Sequence, residues 1–245
     1  MDLEASSFGT MMLLTAMAAA AMPVGGWLAM IGSLRPGWLD EELRHTILAF
    51  GGGVLLAAIA LVLIPEGAEG LSSWKIGMWF VAGGTGFMML DIWLAKRRTP
   101  ASQMAAMLAD FLPESLAMGA AFAQGHASGF SLALLIALQN LPEGFNAFRE
   151  MAGRSRVRGR RVLIVMACMV PLGPIMGWLG MSWLAPHPEL LHGIMIFAAG
   201  GILYAIFQDI APQVKLARHW GPPMGAVAGF LVGLLGNLWI EGAAI

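Results

Sequence analysis

Apolar runs of about 20 residues, the length a helix needs to cross a hydrocarbon core, follow one another along the whole chain. They lie at about 8–32, 46–65, 75–95, 102–124, 129–150, 162–185, 190–212 and 222–243. Only 12% of the 245 residues are charged, about half of what a soluble domain carries. The pattern predicts an all-α integral membrane protein with eight transmembrane helices, forming a single domain over residues 1–245. The first run lacks a basic leading segment and is followed by others, so it reads as a span rather than a cleaved signal. Cys168 is the only cysteine, which excludes an internal disulfide.

The basic residues orient these spans. Arg35 and Arg44 follow span 1, Lys96 to Arg98 follow span 3, Arg149 to Arg161 follow span 5, and Lys215 and Arg218 follow span 7. Together they make 13 of the 14 Lys and Arg, with Lys75 alone on the other side. Short loops rich in Lys and Arg stay cytoplasmic, so both termini are expected outside the cytoplasm. The "RSRVRGRR" stretch beside span 6 reads as this topogenic signal, meeting anionic lipid head groups, rather than as a nucleic-acid patch.

The spans also repeat. "PVGGWLAM" at 23–30 matches "PIMGWLGM" at 174–181, and "FGGGVLLAAI" at 50–59 matches "FAAGGILYAI" at 197–206. "MWFVAG" at 78–83 matches "MGAVAG" at 224–229, and Pro65 and Trp93 align with Pro212 and Trp239. Repeat 1 (about 8–95) and repeat 2 (about 162–243) are displaced by five spans, an odd number, so the copies are expected to be inverted. A central pair (about 102–150) remains, giving a 3+2+3 arrangement. Inverted repeats of this kind place a substrate site near the bilayer midplane in secondary transporters.

Span 4 contains "DFLPES" (Asp110 to Ser115) and span 5 contains "QNLPEG" (Gln139 to Gly144). In each, the first polar residue and the glutamate are four apart, on one helical face. With a short connection at 125–128, Asp110, Glu114, Gln139 and Glu143 are expected to converge between two antiparallel helices. Each proline frees the carbonyl four residues earlier, on Ala109 and Leu138. An ionised carboxylate at the bilayer centre costs roughly 2.5–3.5 kcal/mol, and no Lys or Arg lies at this depth. Protons or a divalent metal remain as compensating cations. The donors are all oxygens, which suits hard or borderline divalent ions without selecting zinc.

Other polar groups are accessory candidates. Gln208 and Asp209 lie toward the cytoplasmic end of span 7, where Asp209 is either an exit ligand or a polar helix end. Glu66, Glu69, His187, Glu189 and His192 lie on the outer side, as collectors of cations or as solvated loop residues. His219 is a candidate acceptor in the last cytoplasmic loop. The 19 methionines are scattered, as packing residues are.

With its paired Pro-Glu motifs in spans 4 and 5, the chain resembles the ZIP (Zrt/Irt-like) family of divalent-metal transporters over nearly its whole length. The family's span-4 motif is His-Asn-x-Pro-Glu-Gly, and Asp110 and Phe111 stand where the His and Asn are usual. "MVPLGP" has Val170 where many members carry glutamate, and Asn140 stands where many bacterial members have Asp. The resemblance implies one metal, held by Asp110, Glu114, Gln139 and Glu143, because Phe111, Asn140 and Val170 remove most of a second site. It also implies a homodimer, and movement of spans 1, 4, 5 and 6 against 2, 3, 7 and 8.

The expected function is transport of a divalent cation into the cytoplasm, zinc first, then iron, manganese, cobalt or cadmium. The metal is the substrate, no cofactor is expected, and the expected location is a bacterial inner membrane. The alternative is a metal-binding membrane sensor or structural protein that has lost transport. An enzyme is not expected, since no HExxH, Ser-His or Cys-His arrangement occurs at these depths. Four clustered oxygens with little aromatic lining fit a bare ion better than an organic cation.

Overall fold

The computed structural model of the chain describes residues 2–31, 37–97, 100–125, 127–152, 156–214 and 220–243. The described residues form eight helical rods. They are α1 (Asp2–Ile31), α2 (Gly37–Ala58), α3 (Ser73–Arg97), α4 (Pro100–Ala123), α5 (Ser128–Ala152), α6 (Arg156–Met169, then Leu172–Leu179), α7 (Pro188–Ala205) and α8 (Gly221–Ala243). Three rods run on through a π turn: α2 through Ile59–Leu63 into Ile64–Ala68, α6 through Gly180–Leu184, and α7 through Ile206–Ile210.

Six of the rods are long and apolar enough to cross a membrane, within Ser7–Ile31, Glu42–Ala68, Ser73–Lys96, Val157–Leu184, Pro188–Ile210 and Gly221–Gly242. The described residues are therefore those of a helical protein, with six candidate spans among them by length and composition. The remaining two, α4 and α5, are 24 and 25 residues long. They lie in the centre, where Phe111, Met118, Leu132, Leu135 and Ile136 are buried. The lipid-type surface sits instead on α3 and α8, whose Val81, Met89, Leu235 and Trp239 are exposed.

The π turns share one sequence neighbour. Ile64 N–H bonds back to the Ile59 carbonyl, Ala185 N–H to Gly180, and Ala211 N–H to Ile206. In each case the next residue is a proline, Pro65, Pro186 or Pro212. A proline offers no N–H to the carbonyl four residues earlier, and each of these three follows a turn of the i→i+5 pattern. Pro113 and Pro142 instead lie inside uninterrupted α-helices.

Glycines set the packing. A Cβ on Gly53 of α2 would strike the Ala226 carbonyl of α8, and one on Gly229 the Phe50 carbonyl of α2. At the matching positions of the other half, Gly200 of α7 meets the Phe80 carbonyl of α3, and Gly83 of α3 meets that of Phe197. The segments that match in sequence thus make the same contacts, with α2·α8 mirrored by α7·α3. Backbones also touch between α1 and α5, through Gly25 against Leu141 and Gly144 against Met22. Gly119 against Gly177 and Gly180 against Leu116 do the same for α4 and α6. Small residues permit such approach where lipid gives no hydrophobic drive between helices.

Candidate functional site

The α4–α5 connection turns at Gly125, whose φ of +71° is a left-handed conformation that glycine adopts without strain. It returns α5 antiparallel beside α4 and brings the two hexapeptides together. Gln139 Nε2 donates to Glu114 Oε2 at 2.6 Å, in a fully buried contact. Glu114 and Gln139 are each 1% exposed. Their other oxygens, Glu114 Oε1 and Gln139 Oε1, are buried without a hydrogen-bond partner, as is Asp110 Oδ1. Buried polar atoms without partners are rare, so four within one pair of motifs, Ser115 Oγ being the fourth, set this place apart.

Asp110 and Glu143 line a cavity of about 70 Å³ between α2, α4, α5 and α7, with Asn146, Asp209 and Gln213 on its walls. Asp110 is within electrostatic reach of Glu114 and Asp209, and Glu143 within reach of Asp110 and Glu114. The four expected ligands are thus neighbours, arranged as a buried pair and a cavity-lining pair. Among the described residues, no three His, Cys, Asp or Glu side chains are grouped to hold one ion.

The accessory candidates separate. Asp209 faces the cavity, whereas Gln208 lies beside Tyr204 and Phe207 on a different surface hollow. Glu66 is half-buried at the far end of α2, away from these residues. Glu189 pairs with Lys75, joining α7 to α3. His219, Lys215 and Arg218 lie outside the described residues.

The three positions read as a lost second site take other roles. Asn140 Nδ2 donates to the Ala18 carbonyl at 2.8 Å, tying α5 to α1. Phe111 is 1% exposed, and its ring tip would meet a Cβ on Gly173 of α6 at 3.1 Å. Val170 packs, half-buried, against the apolar core. Two contacts that sequence reading missed lie beside the cavity wall at Asn146. Arg44 Nε donates to Asn146 Oδ1 at 3.0 Å, and Asn146 Nδ2 donates to Glu150 Oε1 at 2.9 Å. The spacing of Asn146 and Glu150, one helical turn apart, was the available signal.

No family model matches this chain, and no curated protein matches it.

Proposed function

We propose that this protein carries a divalent cation, zinc first, across a membrane into the cytoplasm, by way of Asp110, Glu114, Gln139 and Glu143. The single observation that carries the reading is the set of buried, unpartnered oxygens on Asp110, Glu114 and Gln139 beside a cavity lined by Asp110 and Glu143. Carboxylates beside one another at membrane depth repel, and a cation relieves that repulsion. An all-oxygen donor set suits a divalent ion. Kinship with the ZIP transporters, eight spans with both termini outside, a homodimer and a bacterial inner membrane belong to the same proposal.

Uptake of zinc-65 into proteoliposomes is the test. Wild type accumulates the ion and Glu143→Ala does not; equal uptake by both would sink the proposed route. A second reading is a membrane metal sensor, favoured by the way Phe111 and Asn140 are absorbed into packing and a tether to α1. Its mark is one metal bound in equilibrium dialysis, lost in Glu143→Ala, with no uptake by wild type.

A further inference from the structure

The backbone contacts divide the helices into units. Glycine-to-carbonyl approaches join α1 to α5, α4 to α6, and α6 to α1 through Gly173 against the Thr15 carbonyl. Others join α2 to α8 and α3 to α7, while Gly67 of α2 approaches the His192 carbonyl of α7. Between the sets, the glycines meet side chains instead: Gly51 of α2 faces the Pro142 ring, and Gly233 and Gly236 of α8 face Leu135 and Leu134 of α5. Backbone-to-backbone contact locks a pair of helices in register, whereas a seam of side chains can be repacked. The cavity lies on that seam, with Leu48 and Ala205 from one set and Asp110 and Glu143 from the other.

Four polar contacts among the described residues follow the same division. Gln139–Glu114, Asn140–Ala18, Tyr204–Asp91 and Lys75–Glu189 each join helices of one set. Arg44 reaches across. From α2 it donates to Asn146 and stands 3.6 Å from Glu150, both on α5, while Asn146 donates to Glu150 and closes the triangle. Asn146 is itself part of the cavity wall. In the direction of the open wall lie the exposed Asp209 and Gln213, while the opposite direction is filled by buried Leu63, Ile136 and Ile202. The triangle therefore stands toward the exposed Asp209 and Gln213 of the cavity wall.

We propose that Arg44 is a latch between the two helix sets, holding them in the arrangement whose cavity opens at the Arg44 end. The inference rests on the carrier reading, since alternating access requires the sets to move and the latch to part. A contact present in one arrangement and broken in the other favours the first by its own free energy. Asn146 makes the latch geometric as well as electrostatic, because its amide fixes both partners.

The test uses the full chain in proteoliposomes, with Cys168→Ser and a reporter Ala205→Cys in the cavity wall. The rate of reaction with a charged thiol reagent, applied from the Arg44 side without added metal, is measured. Arg44→Gln is expected to slow labelling by up to about fivefold, the change in equilibrium that a partly exposed charged contact supports. The reversed pair, Arg44→Glu with Glu150→Arg, is expected to restore it, since the Asn146 amide can turn to serve either arrangement. Unchanged labelling in Arg44→Gln overturns the latch. Slowed labelling that the reversed pair fails to restore also overturns it, as damage to packing. Labelling is read without metal, so a chain that carried no zinc would fail the transport proposal and leave this result standing apart.

Discussion

On α4 the residues before Pro113 are an acid with an unpaired oxygen, Asp110, and a buried ring, Phe111. On α5 the residues at the same places before Pro142 are two amides, and each donates a hydrogen bond, Gln139 to Glu114 and Asn140 to Ala18. One helix supplies acceptors that are left open, and the other supplies donors that fix its own position. An amide suits the second role because it donates through nitrogen and still keeps an oxygen. Gln139 does this, with Nε2 engaged and Oε1 unpartnered. Ahead of their prolines the two hexapeptides thus divide into a charged half and an anchoring half, while beyond its proline α5 keeps the cavity-lining Glu143.

The largest effect is expected where the charged half is removed. Asp110→Ala should lower zinc-65 uptake by more than the roughly 10- to 100-fold that loss of a supporting partner costs a metal site. Uptake near the wild-type level would mean that the open oxygen of α4 carries nothing. The anchoring half is attacked at Gly144, whose Cβ would strike the Met22 carbonyl. Gly144→Ala should cost about 1–3 kcal/mol through overpacking, read as a fall in melting temperature in detergent. Gly84→Ala is the control, since its Cβ would lie 3.6 Å from the nearest backbone oxygen, an ordinary contact. Equal melting of the two variants would count against glycine-locked units.

A smaller loss is expected for Asn140→Ala, about 0.5–1.5 kcal/mol for one hydrogen bond, with zinc uptake retained. If uptake disappears while stability holds, Asn140 belongs with the charged half after all. The smallest change in total flux is expected for Asp110→His, which should instead reorder competition in favour of zinc over manganese, because imidazole favours later transition metals. An unchanged ranking would show that this position does not select.

The rods were legible in the apolar runs, because a 20-residue stretch without charge has few folds open to it. Their ends were less so: α1 begins at Asp2 and α2 at Gly37, ahead of the apolar stretches, since helix continues into polar residues. The central site was legible as polar residues at helical spacing, and the structure brings Glu114 and Gln139 into contact. Spacing gives a face and says nothing of which end of an amide turns toward a neighbour, so the Gln139 donation and the Asn140 tether were missed. Arg44 and Asn146 are 102 residues apart, and no local pattern links them. Gln208 and Asp209 read as one pair in sequence, but adjacent residues on a helix point in different directions, and they face different hollows.

A π turn contains one residue more than the α-helix around it needs, and so advances the phase of everything beyond it by about 100°. In α7 the glycines before the turn, Gly200 and Gly201, face α3, while Asp209 within the turn reaches the cavity. The helix presents two surfaces that a regular rod of the same sequence would not align in this way. Changes of chain length are ordinarily absorbed by loops, but here a single deletion between Ile206 and Ile210 would act inside the helix. It would turn Asp209 away from the cavity without altering any residue that lines it.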